Sequence, residues 1–131
     1  MIDPRELRIG NYVSVGGRQD AIEAVVDMIA RKDGAAAIHC EGNGILNRPE
    51  QVFPIPITKA WLLKFGFEKR KFDFVITIDP KTKQQELLAI RLDGGAHIEG
   101  IQENLAFIPK EISYVHRLQN LHYALTGQEL T

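Results

Sequence analysis

The sequence predicts an α+β protein: a small, bent, SH3-like N-terminal β-sheet, then a short helix, a mainly antiparallel sheet and a C-terminal amphipathic helix. Three observations carry this. Apolar residues alternate in short runs separated by turn dipeptides, the pattern of strands with one face buried. A Pro54-Ile-Pro56 joint interrupts the runs near the middle of the chain, and each proline favours extended backbone before it. From Tyr114 onward the apolar spacing lengthens to that of a helix.

The first run, Leu7 to Val15, reads as a strand with Leu7, Ile9, Val13 and Val15 apolar, a bulge at Gly10-Asn11 and a stop at Gly16-Gly17. Residues 20–33 fit two periods. Ile22, Ala24, Val26, Met28 and Ala30 alternate as in a strand; Ile22, Val25, Val26 and Ile29 fit a helix, with Asp20 and Glu23 as a capping box. Asp33-Gly34 followed by alternating Ala36, Ile38 and Cys40 favours a hairpin of two strands. Asn43-Gly44 is a second turn, leading to a third segment through Val52 and Phe53. Thr58 caps a short helix, Lys59 to Phe65, which Gly66 ends in a Schellman motif with Phe67 folded back on Leu62.

Phe72, Phe74, Ile76 and Ile78 alternate toward one core side; Pro80-Lys-Thr-Lys83 turns the chain, and Glu86 to Leu92 answers as a strand. Gly94-Gly95 turns again, and His97 to Phe107 supplies further strand, ended by Pro109. In the last helix Ser113 is the expected N-cap and Gly127 the left-handed C-terminal residue. Tyr114, Leu118, Leu121 and Leu125 form its core stripe. The whole of 1–131 is expected to form one compact unit, with lobes at 1–57 and 58–131, because the Pro-Ile-Pro joint is short.

Three segments, Leu7-Arg-Ile-Gly-Asn-Tyr-Val13, Pro54-Ile-Pro-Ile-Thr-Lys-Ala-Trp-Leu-Leu-Lys-Phe-Gly-Phe-Glu-Lys69 and Tyr114-Val-His-Arg-Leu-Gln-Asn-Leu-His-Tyr-Ala-Leu-Thr-Gly-Gln-Glu-Leu130, together resemble a family of small uncharacterised proteins of Bacteroidetes-type bacteria, often encoded in phage-like or mobile regions. The resemblance implies a twisted hairpin over residues 20–40 and a phage or prophage setting. It carries over no catalytic or ligand residue.

Composition narrows the function classes. The chain has 16 basic and 17 acidic residues, so bulk charge makes no case for nucleic acid or membrane. The split is mild: residues 1–57 hold 6 basic and 8 acidic groups, and residues 58–131 hold 10 and 9. No apolar run approaches a membrane span, the N-terminal residues do not read as a secretory signal, and Cys40 is the sole cysteine. A cytoplasmic location is expected.

Candidate chemistry is sparse. His97 and Glu99 lie two apart on an expected strand, so they share a face, but no third ligand stands at a telling spacing. His39 and Cys40 are adjacent and face opposite ways, a poor nucleophile–base geometry, and Cys40 reads as a small buried apolar residue. Gly42-Asn-Gly44 and Gly94-Gly95 open no helix and read as turns rather than phosphate loops. No paired acid and base, metal set or nucleophile elbow is legible, so neither an enzyme nor a cofactor is expected.

Two surfaces remain. On the outer face of the last helix, His116 and Asn120, and Gln119 and Tyr123, stand at i,i+4 spacing and form the expected binding face for an unidentified protein partner. Lys69, Arg70 and Lys71, among interleaved phenylalanines, form the alternative: a site for nucleic acid or a small nucleotide. The expected function is therefore a non-enzymatic interaction protein, with nucleic-acid binding second and an enzyme third.

Overall fold

A computed structural model describes residues 2–16, 21–42, 44–79, 86–92, 96–101 and 110–131. Contacts divide the chain into two units: Met1–Ile55 with Val115–Asn120, and Pro56–Tyr114 with Leu121–Thr131. Each contains an antiparallel five-stranded sheet and helical segments, an α+β architecture. Among the described residues no helix is long and apolar enough to cross a membrane.

The first unit opens with a 3-10 turn, Pro4–Glu6, begun by Asp3, whose carboxylate accepts from the Arg5 N–H at 2.9 Å. Its strands are β1 Tyr12–Val15, β2 Ile22–Lys32, β3 Ala35–Glu41, β4 Leu46–Asn47 and β5 Val52–Phe53, with a second 3-10 turn, Pro49–Gln51, before β5. The sheet order is β4-β3-β2-β1-β5. Asp33 (φ 53°) and Gly34 (φ 80°) both take positive φ and join β2 to β3, the turn whose twist matches that of the flanking strands. Residues 20–33 are thus strand from Ile22, not helix. Alternate residues Val13 and Val15, Ala24 and Val26, and Ile38 and Cys40 bury one face with Ile2, Leu7 and Val52.

The first strand is shorter than its alternation suggests. Leu7 enters the core, but Ile9 is 62% exposed and β1 starts only at Tyr12. The reason is a turn: the Asn11 carbonyl-type side-chain oxygen accepts from the Arg8 N–H at 2.7 Å, the Asn11 N–H donates to the Arg8 carbonyl, and Gly10 sits at φ 98°. The expected bulge at Gly10-Asn11 is present: the Gly10 N–H donates to the Val26 carbonyl at 2.7 Å and the Val26 N–H donates to the Asn11 carbonyl at 2.9 Å, so two residues oppose one. A second irregularity falls at Asp27, between Val26 and Met28 of β2.

The second unit holds α1 Lys59–Lys64 and the strands β6 Glu68–Lys69, β7 Phe74–Asp79, β8 Glu86–Leu92, β9 Ala96–Ile101 and β10 Lys110–Glu111, in the order β10-β9-β8-β7-β6. Thr58 caps α1 by accepting from the Trp61 N–H. Gly66 (φ 90°) ends it, with the Phe67 N–H donating to the Leu62 carbonyl at 3.0 Å. That Schellman closure turns Phe67 back into the core beside Trp61, Leu62 and Phe65.

One apolar alternation overshoots. Phe72 is 71% exposed rather than core-facing, because β6 and β7 form a tight hairpin and Phe72 lies at its tip. The strand proper begins at Phe74, which pairs with Ile90. Residues 80–85, 93–95 and 102–109, with Gly17 and Asn43, lie outside the described residues; so do the expected Pro80–Lys83 and Gly94-Gly95 turns and the strand beyond Ile101.

α2 runs Val115–Thr126. Its first half, Val115–Asn120, belongs to the first unit, and its second half to the second. Tyr114 rather than Ser113 occupies the N-cap, and Ser113 stands one residue earlier at φ 52°. Gly127 (φ 73°) ends the helix by donating to the Tyr123 carbonyl at 2.7 Å. The expected core stripe fades along its length: Leu118 is fully buried, Tyr114 and Leu121 are half-buried, and Leu125 is 38% exposed.

Candidate functional site

The expected partner-binding face of α2 is not a surface. His116 and Gln119 are buried and Asn120 is half-buried; of the four residues, only Tyr123 is exposed. The cause lies in the first unit. β5 pairs with β1 only at Ser14 and Val15, so the edge of β1 is uncovered from Tyr12 back to Gly10. The Gln119 carboxamide covers it: its Oε1 accepts from the Tyr12 N–H at 2.8 Å and its Nε2 donates to the Gly10 carbonyl at 3.0 Å. Asn120 continues the seam. Its Nδ2 donates to the Glu6 carbonyl at 2.7 Å, and its Oδ1 accepts from Asn11 Nδ2 at 2.9 Å and Arg8 Nη1 at 3.2 Å. These polar residues are hydrogen-bonded structural groups, and helical spacing alone cannot distinguish such a face from a wet one.

His116 lies 3.7 Å from Glu6 Oε1, a carboxylate that also accepts from Arg117 Nε at 2.9 Å. Burial pushes the His116 pKa below its ordinary value; Glu6 pulls it back up, and Arg117 adds to the depression.

The other predicted cluster is on the surface. Arg70 and Asp73 close the β6–β7 hairpin: the Arg70 N–H donates to the Asp73 carbonyl at 2.8 Å, and the guanidinium grips both carboxylate oxygens at 2.7 Å. The Asp73 side chain is 7% exposed, so this fork supplies the counter-charge that a buried carboxylate requires. Arg70 is therefore a positioning residue. Its fork presents Lys71 and Phe72 at the tip, where Lys71 Nζ stands 5.4 Å from the Phe72 ring centroid. Lys69, Arg70, Lys71, Phe72, Arg91 and Leu92, together with Asp73 and Phe74, line an open cavity of about 400 Å³. Sequence spacing named its basic residues but hid the part of Phe72, which alternation assigned to the core.

The bulge at Asp27 brings its carboxylate to His39 Nδ1 at 2.5 Å on the outer side of the first sheet. Asp27 raises the His39 pKa above its ordinary value against a smaller opposing effect of desolvation. No sequence spacing announced the pair, because it depends on the extra residue. Cys40 points the other way, fully buried, and burial with the Asp27 charge pushes its thiol up to about 11. In β9, the backbone register against β8 slips between Ala89 and Ile90, which pair with Gly100 and Ile98; the side chains of His97 and Glu99 lie outside the described part. Among the described residues no three His, Cys, Asp or Glu side chains converge on a metal position.

Replacing Gln119 by Leu keeps the volume but removes the acceptor of the Tyr12 N–H and the donor to Gly10. Each orphaned buried group costs about 1–3 kcal/mol, so the denaturation midpoint should fall clearly at unchanged m-value; an unchanged midpoint would mean the seam carries no stability. For His116 the sign is that of a depressed base. Its contribution is full above the unfolded histidine value of roughly 6.5 and is lost as pH falls below it. Wild type should therefore lose more melting temperature than His116→Gln between about pH 8 and pH 5; equal losses would contradict the assignment.

No protein-family model, no curated protein and no solved structure matches the chain.

Proposed function

We propose that the protein is a non-enzymatic binding module that takes single-stranded nucleic acid at the β6–β7 hairpin. The observation that carries this reading is Phe72, 71% exposed at the hairpin tip beside Lys71 and at the rim of a cavity that Lys69 and Arg91 also line. An exposed aromatic ring offers a stacking surface of about 1–3 kcal/mol per base, and the flanking cations meet the backbone phosphates. The site is local, which accommodates a near-neutral net charge of -1. A nucleic-acid-binding accessory protein also suits the mobile-element setting that the family resemblance implies.

The sheet of the first unit supports an SH3-like reading. Its order is β4-β3-β2-β1-β5, and a 3-10 turn lies between β4 and β5. A second functional reading, a protein partner on α2, rests on Tyr123 (42% exposed) with Leu125 (38% exposed). It differs in its test: Tyr123→Ala would abolish capture of a stoichiometric protein partner and leave oligonucleotide binding intact.

Fluorescence anisotropy with labelled oligo-dT tests the main reading. Three cation–phosphate contacts give a log–log salt slope of about −2, or roughly tenfold to twentyfold weaker binding between about 50 and 200 mM salt. Phe72→Ala should weaken binding about tenfold or more, and Lys69→Gln with Lys71→Gln should flatten the slope. Absence of binding at low salt, or binding indifferent to these variants, would overturn the reading. Equal affinity for a mononucleotide would overturn the single-strand assignment.

A further inference from the structure

The first sheet has a second uncovered edge, on β3. In a two-residue hairpin the residues flanking the turn exchange hydrogen bonds, so Lys32 and Ala35 bond to each other, as do Ala30 and Ala37. Ala36, opposite Arg31, therefore turns its N–H and C=O away from β2. A side-chain bond fixes the same phase independently: Asn47 Nδ2 of β4 donates to the Ile38 carbonyl at 3.0 Å, so Ile38, two residues on, also faces outward.

β4 covers that edge only at Ile38 and His39. Beyond Asn47 the chain cannot continue along β3, because Pro49 opens the 3-10 turn and has no N–H to give the ladder. Among the described residues no strand pairs with Ala36 on this side. An open cavity of about 730 Å³ lies there instead, lined by Ala35, Ala36, Ala37, Leu46, Asn47 and Arg48, together with Asp33, Pro49 and Glu50. Sheet edges are ordinarily blunted by charge, proline or a bulge. This stretch is three alanines, Ala35 exposed, Ala36 half-buried and Ala37 buried, and their methyl groups place no bulky or charged side chain along the edge.

We propose that the Ala35–Ala37 edge is a peptide-docking site, where an extended segment of a partner protein adds a strand in line with β4. Backbone pairing at Ala36 holds the segment, and the cavity receives its alternate side chains. Asp33, in the β2–β3 turn, and Glu50 line the cavity together with a cation, Arg48, so the favoured segment carries a Lys or Arg at its ends. This site is independent of the hairpin site of the second unit.

The probes are two capped peptides of alternating valine and threonine, one with lysine at both ends and one with glutamate. Titration is followed by amide chemical shifts and hydrogen exchange of the full chain. The Ala36 amide should exchange fast in the protein alone, and should shift and gain protection with the lysine-ended peptide. That peptide should bind about threefold more tightly than the glutamate-ended one, the scale of an exposed ion pair. N-methylating alternate peptide nitrogens should abolish binding. Ala36→Pro should do the same while the variant still melts cooperatively, because the N–H it removes faces away from β2. The proposal is overturned if neither peptide shifts Ala36 at millimolar concentration, or if N-methylation or Ala36→Pro leaves binding intact. It is equally overturned if the Ala36 amide is protected without peptide, whether at all protein concentrations, which would mean an internal partner, or increasingly with concentration, which would mean a second copy.

Discussion

The first unit turns on one side-chain amide. Gln119 satisfies the Tyr12 N–H and the Gly10 carbonyl at once, in the place where a longer β5 would have run along β1. A primary carboxamide carries the same donor and acceptor as a peptide group, so it can stand in for a strand residue. The substitution has a geometric consequence. It sets the first turns of α2 against the segment Glu6–Tyr12, and that proximity brings Asn120 onto the Glu6 carbonyl and His116 toward the Glu6 carboxylate. Gln119, Asn120 and His116 are polar, but each is committed to the interior of this unit.

Much of the backbone was legible because local chemistry and tertiary structure agree there. Asp33-Gly34 needs two positive φ angles and contains residues that tolerate them; Thr58, Gly66 and Phe67 supply the cap, the left-handed residue and the apolar fold-back that end α1. Two misreadings share one cause. Ile9 and Phe72 are apolar residues at periodic positions, and in each the pattern runs past the element that generates it. The Arg8–Asn11 turn stops β1 early, and the Arg70–Asp73 fork folds the chain before β7 begins. Both interruptions are side-chain contacts, invisible to a period count.

Side-chain polarity misled in the opposite direction on α2. His116, Gln119, Asn120 and Tyr123 share a helical face by spacing, yet only Tyr123 is exposed, Asn120 being half-buried and the others buried. Binary patterning assumes that polar residues seek water, whereas an uncovered strand edge is itself a polar surface that a side-chain amide can fill. The bulge at Asp27 shows the same limit. One extra residue brings its carboxylate to His39, and neither residue announced the other in sequence. The two histidines with shifted pKa values then respond to pH in opposite senses. His39, raised by its carboxylate partner, contributes stability that is present below the ordinary histidine value and lost as pH rises through its raised pKa. His116, lowered by burial, contributes stability above that value and loses it as pH falls.

The first sheet presents the same problem twice. Each outer strand, β4 and β5, is two residues long, and each leaves the strand inside it partly uncovered. At β1 the uncovered groups are half-buried, and the amide of the fully buried Gln119 meets both. At β3 the uncovered groups belong to Ala36, beside an open cavity where water can serve them. A covering side chain on one edge and an open cavity beside the other separate the two by role. An edge that folding must satisfy acquires a side chain from its own unit and is closed to partners. An edge that water satisfies remains reversible, and a peptide backbone can replace the water at little net cost in hydrogen bonds, so that affinity rests on the side chains the cavity accepts.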